Sequence, residues 1–275
     1  MGQQTLFENP DCQKIIDIAN ASDRIAIAFS GGRDSSLAAF WAIKKYKEKC
    51  VLVFVDTGAE LQDVVEYVFE TSRHYGVPVH MVRNISFFEK YGPSQAFPAP
   101  QHMSCVTDLI YGQIDAYNVS VGDSFCLVTG AQKKQKQRTS STVAVMEKKH
   151  RGVTFKIINP LYSFDEDEIR RDFLMEWHLW NGYKLGFDRT ACWCCPFQRP
   201  QQYDMLRKYY PILFDRLMHM AEVWQTHDCD LERYYIKRFG MFAKKESPVL
   251  GEECPAQDTV EICHTAPNTA STKAG

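Results

Sequence analysis

Apolar positions along this chain fall into two alternating patterns. Short continuous runs, RIAIAF at 24–29, VLVFV at 51–55, VPVHMV at 77–82, FCLV at 125–128 and FKII at 155–158, read as strands buried on both faces. Between them, Leu37, Ala38, Phe40, Trp41 and Ile43 recur at helical spacing, and so do Val64, Val65, Val68 and Phe69. This alternation predicts an α/β fold, a parallel sheet of about five strands with helices on both faces. Residues 1–23 form an amphipathic helical lead-in, with Ile15, Ile16 and Ile18 on a polar background. Phe87–His102 is rich in Pro, Gly and aromatics and reads as a long loop of the kind that serves a site. From 165 onward the pattern turns helical, through DEDEIRRDFLMEW and PQQYDMLRKYYPILFDRLMHMAEVW. The expected organisation is a lead-in over 1–23, an α/β domain over 24–164, a helical region over 165–250 and a disordered tail over 251–275.

Composition narrows this picture. The 32 Lys and Arg against 34 Asp and Glu exclude a uniformly basic or acidic protein, but not a local basic patch. No apolar run approaches the roughly 20 residues that a membrane span needs. The N-terminal stretch MGQQTLFENPDCQKII lacks the layout of a secretory signal, so a cytoplasmic chain is expected. Ten cysteines in that compartment point to metal ligands, catalytic thiols or packing residues rather than disulfides.

The sharpest motif is Ser30-Gly31-Gly32-Arg33-Asp34-Ser35, at the carboxyl end of the first strand and the start of a helix. Two glycines allow a tight turn and a close backbone approach. The helix amides and dipole then favour an anion, with Ser30, Ser35 and Arg33 as added donors. Asp34 would repel a bare phosphate, so it points to Mg²⁺ or to a structural hydrogen bond. The coincidence of strand, glycines and helix at the first βα junction favours a nucleotide or phosphate site over a plain turn. Cys192-x-x-Cys195, with Cys194 inside the pair, has the spacing of soft-metal ligation. A [4Fe–4S] cluster, zinc, a redox dithiol or three packing cysteines all fit that spacing.

The string SGGRDS resembles the loop of the PP-loop ATP pyrophosphatases, which have the adenine-nucleotide alpha-hydrolase fold. Within that superfamily, residues 24–200 resemble the phosphoadenosine phosphosulfate (PAPS) reductase family, including its DNA-phosphorothioation relatives. The stretches that carry the likeness are VFVDTGAELQDVVEYV, HMSCVTDL, LVTGAQKKQKQR, INPLYSFDEDEI and DRTACWCCPF. The resemblance implies a PP-loop nucleotide-binding domain over 24–164 and roles for individual residues. Ser30 to Ser35 would bind the phosphates of ATP, PAPS or APS, and Asp56, Thr57 and Gly58 would border the nucleoside. Gly130 would open a loop carrying Lys133, Lys134, Lys136 and Arg138, and Arg189 is a further anion contact. Cys105 would join Cys192 and Cys195 at a [4Fe–4S] cluster, with zinc as the alternative metal. The fourth ligand is open between Cys194, Cys229, Cys254 and a non-protein group.

The first basic cluster fits either a solvated loop or a phosphate or nucleic-acid contact. Lys148, Lys149, His150 and Arg151 read better as a solvated hairpin. His74, His80 and His102 form no hydrolytic set and read as surface or structural histidines. Two departures from the family pattern stand out. Gln132 occupies the place of a frequent Arg, and neither Glu253-Cys254-Pro255 nor Ile262-Cys263-His264 matches the catalytic Glu-Cys-Gly-x-His tail of the reductases.

The resulting expectation is an adenine-nucleotide-dependent, adenylylating sulfurtransferase-like enzyme, in which Mg²⁺ at Asp34 assists loss of pyrophosphate and Cys194 or the cluster delivers sulfur. A PAPS or APS reductase is the first alternative. The second is a nucleic-acid-binding subunit of a DNA- or tRNA-modification complex. Implied partners are a sulfur donor such as a cysteine desulfurase or thioredoxin-like protein, a DNA or tRNA substrate, and further copies or subunits, but no membrane.

Overall fold

Strand β1 (Arg24–Ala28) sends Ile25 and Ile27 to one face of the sheet and Ala26 to the other, and all three are fully buried. The same two-sided burial recurs in β5 (Phe125–Val128), where Cys126 and Val128 meet one core and Phe125 and Leu127 the other. This is why these runs are continuously apolar rather than alternating. The computed structural model describes residues 10–83, 85–97, 104–121, 125–132, 143–164 and 166–226.

The main sheet has six strands in the order β3-β2-β1-β5-β7-β6, where β2 is Cys50–Val55, β3 Val79–Val82, β6 Val145–His150 and β7 Val153–Ile158. Five strands run parallel, as expected, and β6 adds an antiparallel edge through a hairpin with β7. Arg151 and Gly152, both at positive φ (47° and 84°), make its two-residue turn. The basic residues 148–151 are therefore a hairpin, and Lys148 is held by both carboxylate oxygens of Asp115. A two-stranded ladder pairs β4 (Ala96–Phe97) with β8 (Gln225–Thr226).

The larger core lies under α1 (Pro10–Ala21), α2 (Arg33–Tyr46) and α3 (Gln62–Tyr75). Helix α2 is buried almost all round, from Leu37 to Ile43, so it is a central element rather than a surface one. Helix α4 (Phe87–Tyr91) occupies the start of the expected long loop. Ser86 and Glu89 form a reciprocal capping box there, which stabilises so short a helix. Helices α5 (Ser104–Val106) and α6 (Gly112–Val121) flank a π turn at Thr107–Tyr111, and α6 covers the smaller core, where Tyr117 packs beside Phe125 and Phe155. The helical region follows with α7 (Pro160–Ser163), α8 (Glu166–Glu176), α9 (Gly182–Leu185), α10 (Pro200–Tyr209) and α11 (Pro211–Val223). Trp177, Trp180, Tyr203 and Leu206 join this region to the same core as the sheet. Among the described residues no helix is long and apolar enough to cross a membrane.

The strand order places the switch point at β1. The chain moves to β2 and β3 on one side and enters β5 on the other. In open α/β sheets the crevice beyond the carboxyl ends of two such strands is the usual ligand site.

Candidate phosphate and thiol site

The loop after β1 is shaped by backbone geometry. Gly31 sits at φ +72°, a region costly for any side chain, and Gly32 is the extended N-cap of α2. Ser35 fastens the turn, since its hydroxyl donates to the Gly32 carbonyl at 2.9 Å and accepts from the Ser30 amide at 3.3 Å. Ser30 and Ser35 hydroxyls are also 3.1 Å apart. Ser30 thus braces the loop, and the first-turn amides of α2 have no intrahelical acceptor.

The loop after β5 closes against this turn. A Cβ on Gly130 would lie 2.6–2.8 Å from the backbone of Asp34 and Ser35, so only glycine permits this approach. Two residues on, Gln132 Nε2 donates to Asp34 Oδ1 at 3.0 Å. The residue that departs from the family pattern thus orients the loop carboxylate. Lys133, Lys134, Lys136 and Arg138 lie outside the described residues, as do Cys229, Cys254 and Cys263.

The end of β2 supplies a second wall. Asp56 accepts from the Gly58 amide at 2.8 Å and pairs with Arg83 at 3.2 Å. Gly58, at φ +76°, lies against Ser86 and Arg83. Glu60 turns inward and accepts from the Thr57 amide at 2.9 Å and the Thr57 hydroxyl at 2.7 Å. Burial, helped by nearby Asp56, pushes the Glu60 carboxyl up to about 7 despite those donors.

The cysteine loop is seated on both walls. Thr190 donates to the Ser30 carbonyl at 3.1 Å, and the Trp193 amide donates to the Ala59 carbonyl at 2.8 Å. Cys192 Sγ lies 3.5 Å from Thr57 Oγ1 and donates toward Glu60 Oε1 at 3.8 Å. Arg189 reaches Cys195 Sγ at 3.5 Å, so this expected anion contact is turned to a thiol. Tyr203 donates to the Cys195 carbonyl at 2.7 Å and Gln198 to that of Cys192. Above the loop, Arg216 stacks on Phe88 and Trp193, at 4.1 and 5.6 Å from the ring centres.

Tyr183 joins the halves from α9. Its oxygen accepts from the Arg33 amide at 3.1 Å, and the Arg33 guanidinium covers its ring at 4.4 Å. Burial raises its phenol while the Arg33 amide and guanidinium oppose the rise. Tyr183, Thr190 and Glu60 were not expected as site residues. Only the proximity of Glu60 to the Asp-Thr-Gly end of β2 offered a sequence signal.

The thiols divide into two kinds. Cys105, Cys192 and Cys195 are partly buried and within electrostatic reach of one another. Cys194 is buried, at 1% exposure, and belongs to the packed core. Burial first, then the neighbouring charges, holds the Cys192 and Cys194 thiols well above their ordinary range. Among the described residues no three Cys, His, Asp or Glu side chains stand close enough to hold a metal ion. The donors expected for a cluster or zinc thus do not form a metal-holding set among the described residues.

Residues 24–198 match the family model of the phosphoadenosine phosphosulfate reductase domain. Two uncharacterized proteins of Methanocaldococcus jannaschii are similar to the chain. One is 25% identical over 197 residues, covering 70% of this chain and 40% of that protein. The other is 22% identical over 199 residues, covering 72% and 47%. The chain thus spans less than half the length of either relative. The crystal structure of PAPS reductase from Candida auris, a phosphate complex, shares the fold with a TM-score of 0.52 at 16% identity, covering 70% of this chain and 92% of that one.

Proposed function

The chain belongs to the phosphoadenosine phosphosulfate reductase domain family, and from that premise we propose that it is an adenine-nucleotide-dependent sulfur-transfer enzyme. The carrying observation is that Thr190 ties the cysteine loop to the phosphate loop while Cys192 lies against Thr57 at the neighbouring strand end. In this reading the α2 amides, Ser30, Ser35 and Arg33 hold the nucleotide phosphates. Tyr183, whose oxygen already accepts the Arg33 amide, directs its own proton to a phosphate oxygen. Asp56, Thr57 and Gly58 border the nucleoside.

Mg²⁺ entering with the nucleotide would neutralise the leaving pyrophosphate, and Asp34, oriented by Gln132, is the carboxylate placed to hold it. An acceptor oxygen attacks the α-phosphorus and pyrophosphate leaves. A persulfide on Cys192, charged by a cysteine desulfurase-type donor, then attacks the activated carbon or phosphorus with its terminal sulfur and AMP leaves. Cys195, one turn away, attacks the Cys192 sulfur, which frees the thiolated acceptor and leaves a Cys192–Cys195 disulfide for an external dithiol to reduce. DNA or tRNA is the acceptor class to try first. Cys192 is the thiol at this edge, which makes it a better sulfur carrier than the buried Cys194, and Glu60 Oε1 already faces its proton. Cys105, Cys192 and Cys195 as they stand do not form a set that fits an iron–sulfur cluster or zinc.

A second reading is favoured by the single turn that holds Cys192 and Cys195, closed by the Cys195 amide on the Cys192 carbonyl at 3.0 Å. The Cys192 thiolate would attack the sulfonate sulfur of PAPS, releasing adenosine 3′,5′-bisphosphate and leaving a thiosulfonate. Cys195 would then attack the Cys192 sulfur, expelling sulfite and leaving a disulfide for an external dithiol, such as a thioredoxin-like protein, to reduce. Anaerobic turnover with ATP plus a polynucleotide and, in parallel, with PAPS plus a dithiol separates the two. Pyrophosphate release supports the first reading, and sulfite release the second. Nucleotide binding without either product overturns both.

A further inference from the structure

We propose that His74 and His178 form a two-imidazole site for one divalent first-row cation such as Zn²⁺, clipping the end of α3 to the segment after α8. The rings belong to distant parts of the chain, yet their centres are 5.7 Å apart with planes inclined at 70°. An imidazole holds zinc through a ring nitrogen at about 2.0–2.1 Å, which puts two rings on one ion roughly 5–6 Å apart, centre to centre. The observed spacing falls within that range.

The pair is held by its neighbours rather than by chance contact of two exposed side chains. Tyr75, next to His74, stacks on Trp177, next to His178, at 4.1 Å and 14°. The Tyr75 hydroxyl also donates to the Glu176 carbonyl at 2.9 Å. Both backbones are thus fixed beside the two imidazoles, which lowers the ordering cost of chelation. His74 lies in the last turn of α3, where the helix dipole favours a cation. Glu70, one turn earlier, is exposed, whereas Glu176 is engaged by Lys44 at 3.2 Å. No third His, Cys, Asp or Glu among the described residues completes a protein-only set, so water fills the remaining positions.

The clip would hold a segment that matters elsewhere. Trp177 donates to the Tyr67 hydroxyl at 2.9 Å, and Tyr67 lies under Gly31. Six residues after Trp177, Tyr183 reaches the phosphate loop. A cation here would stabilise the cover of that loop without touching its chemistry.

Zinc titration of the full chain, followed by NMR of the histidine rings and by thermal unfolding, tests the site apart from any turnover and from the thiols. The expected result is joint movement of the His74 and His178 rings, saturating at the same zinc ratio. The melting midpoint should rise with zinc in the wild type and rise less in His74→Gln and His178→Gln, both exposed substitutions. Rings that stay still while cysteine signals move would overturn the proposal. So would rings that move at different ratios, or midpoints that rise equally in all three proteins.

Discussion

The glycine loop after β1 and the cysteine loop touch through Thr190 on Ser30, but they are built by different means. The first is a backbone device, defined by Gly31 at positive φ, Gly32 as the N-cap and Gly130 pressed on the helix start. The second is a side-chain device. Its carbonyls are held by Gln198 and Tyr203, and its position by Thr190 on Ser30 and by the Trp193 amide on Ala59. A backbone device tolerates almost no change at its glycines. A side-chain device can lose one hydrogen bond and loosen by degrees.

That contrast can be broken most sharply at Gly130. Gly130→Ala puts a Cβ against the Asp34 and Ser35 backbone and forces the two loops apart. Overpacking of this kind costs about 1–3 kcal/mol, which, felt at the site, corresponds to a loss of nucleotide affinity of roughly 5- to 150-fold. Calorimetric titration with the nucleotide should show it while circular dichroism stays native. Unchanged affinity would mean that the Gly130 approach has no part in the site.

Thr190→Val keeps the shape and removes the donor to Ser30. The expected cost is about 0.5–1.5 kcal/mol, seen as faster alkylation of Cys192 with nearly unchanged nucleotide affinity. Equal alkylation rates in both proteins would show that the tie does not position the thiol.

Glu60→Gln should have an effect that depends on pH. The Glu60 carboxyl titrates higher in the folded chain than in the unfolded one, because burial disfavours its charge. Between the unfolded value near 4.5 and about 7 the folded state therefore binds more protons, and stability falls as pH rises through that window. Relative to wild type, the Gln variant should gain stability from pH 4 to pH 8 in chemical denaturation. A constant difference across that range would contradict this account of Glu60.

The same contrast explains what could be read from the residues alone. Strands β1, β2 and β5 are legible because burial on both faces demands continuous apolar runs, whereas β3 and β7 are legible from apolar residues around exposed His80, Thr154 and Lys156, and are buried less fully than their runs suggest. Strand β6, VMEKKH, is not, since an edge strand half in solvent carries lysines and a glutamate. Helix α4 hid in an aromatic, proline-rich stretch, although its Ser86-x-x-Glu89 box was there to be read. The turn at Ser30 to Ser35 was legible because a tight turn leaves its demand for glycine in the sequence. Tyr183 and Thr190 were not, because their roles come from partners 150 and 160 residues away. The cysteine spacing announced a thiol site, while the burial of Cys194 beside two partly exposed neighbours depends on how the loop packs.

The central claim is that phosphate loop and thiol loop form one site. Its most direct test is protection of Cys192 from a small alkylating reagent, followed residue by residue by mass spectrometry, with and without whichever of ATP and PAPS binds. The buried Cys12 and Cys126 serve as internal references. The account predicts that saturating nucleotide slows modification of Cys192 while the references are unchanged. Nucleotide that binds fully yet leaves the Cys192 rate untouched would contradict it.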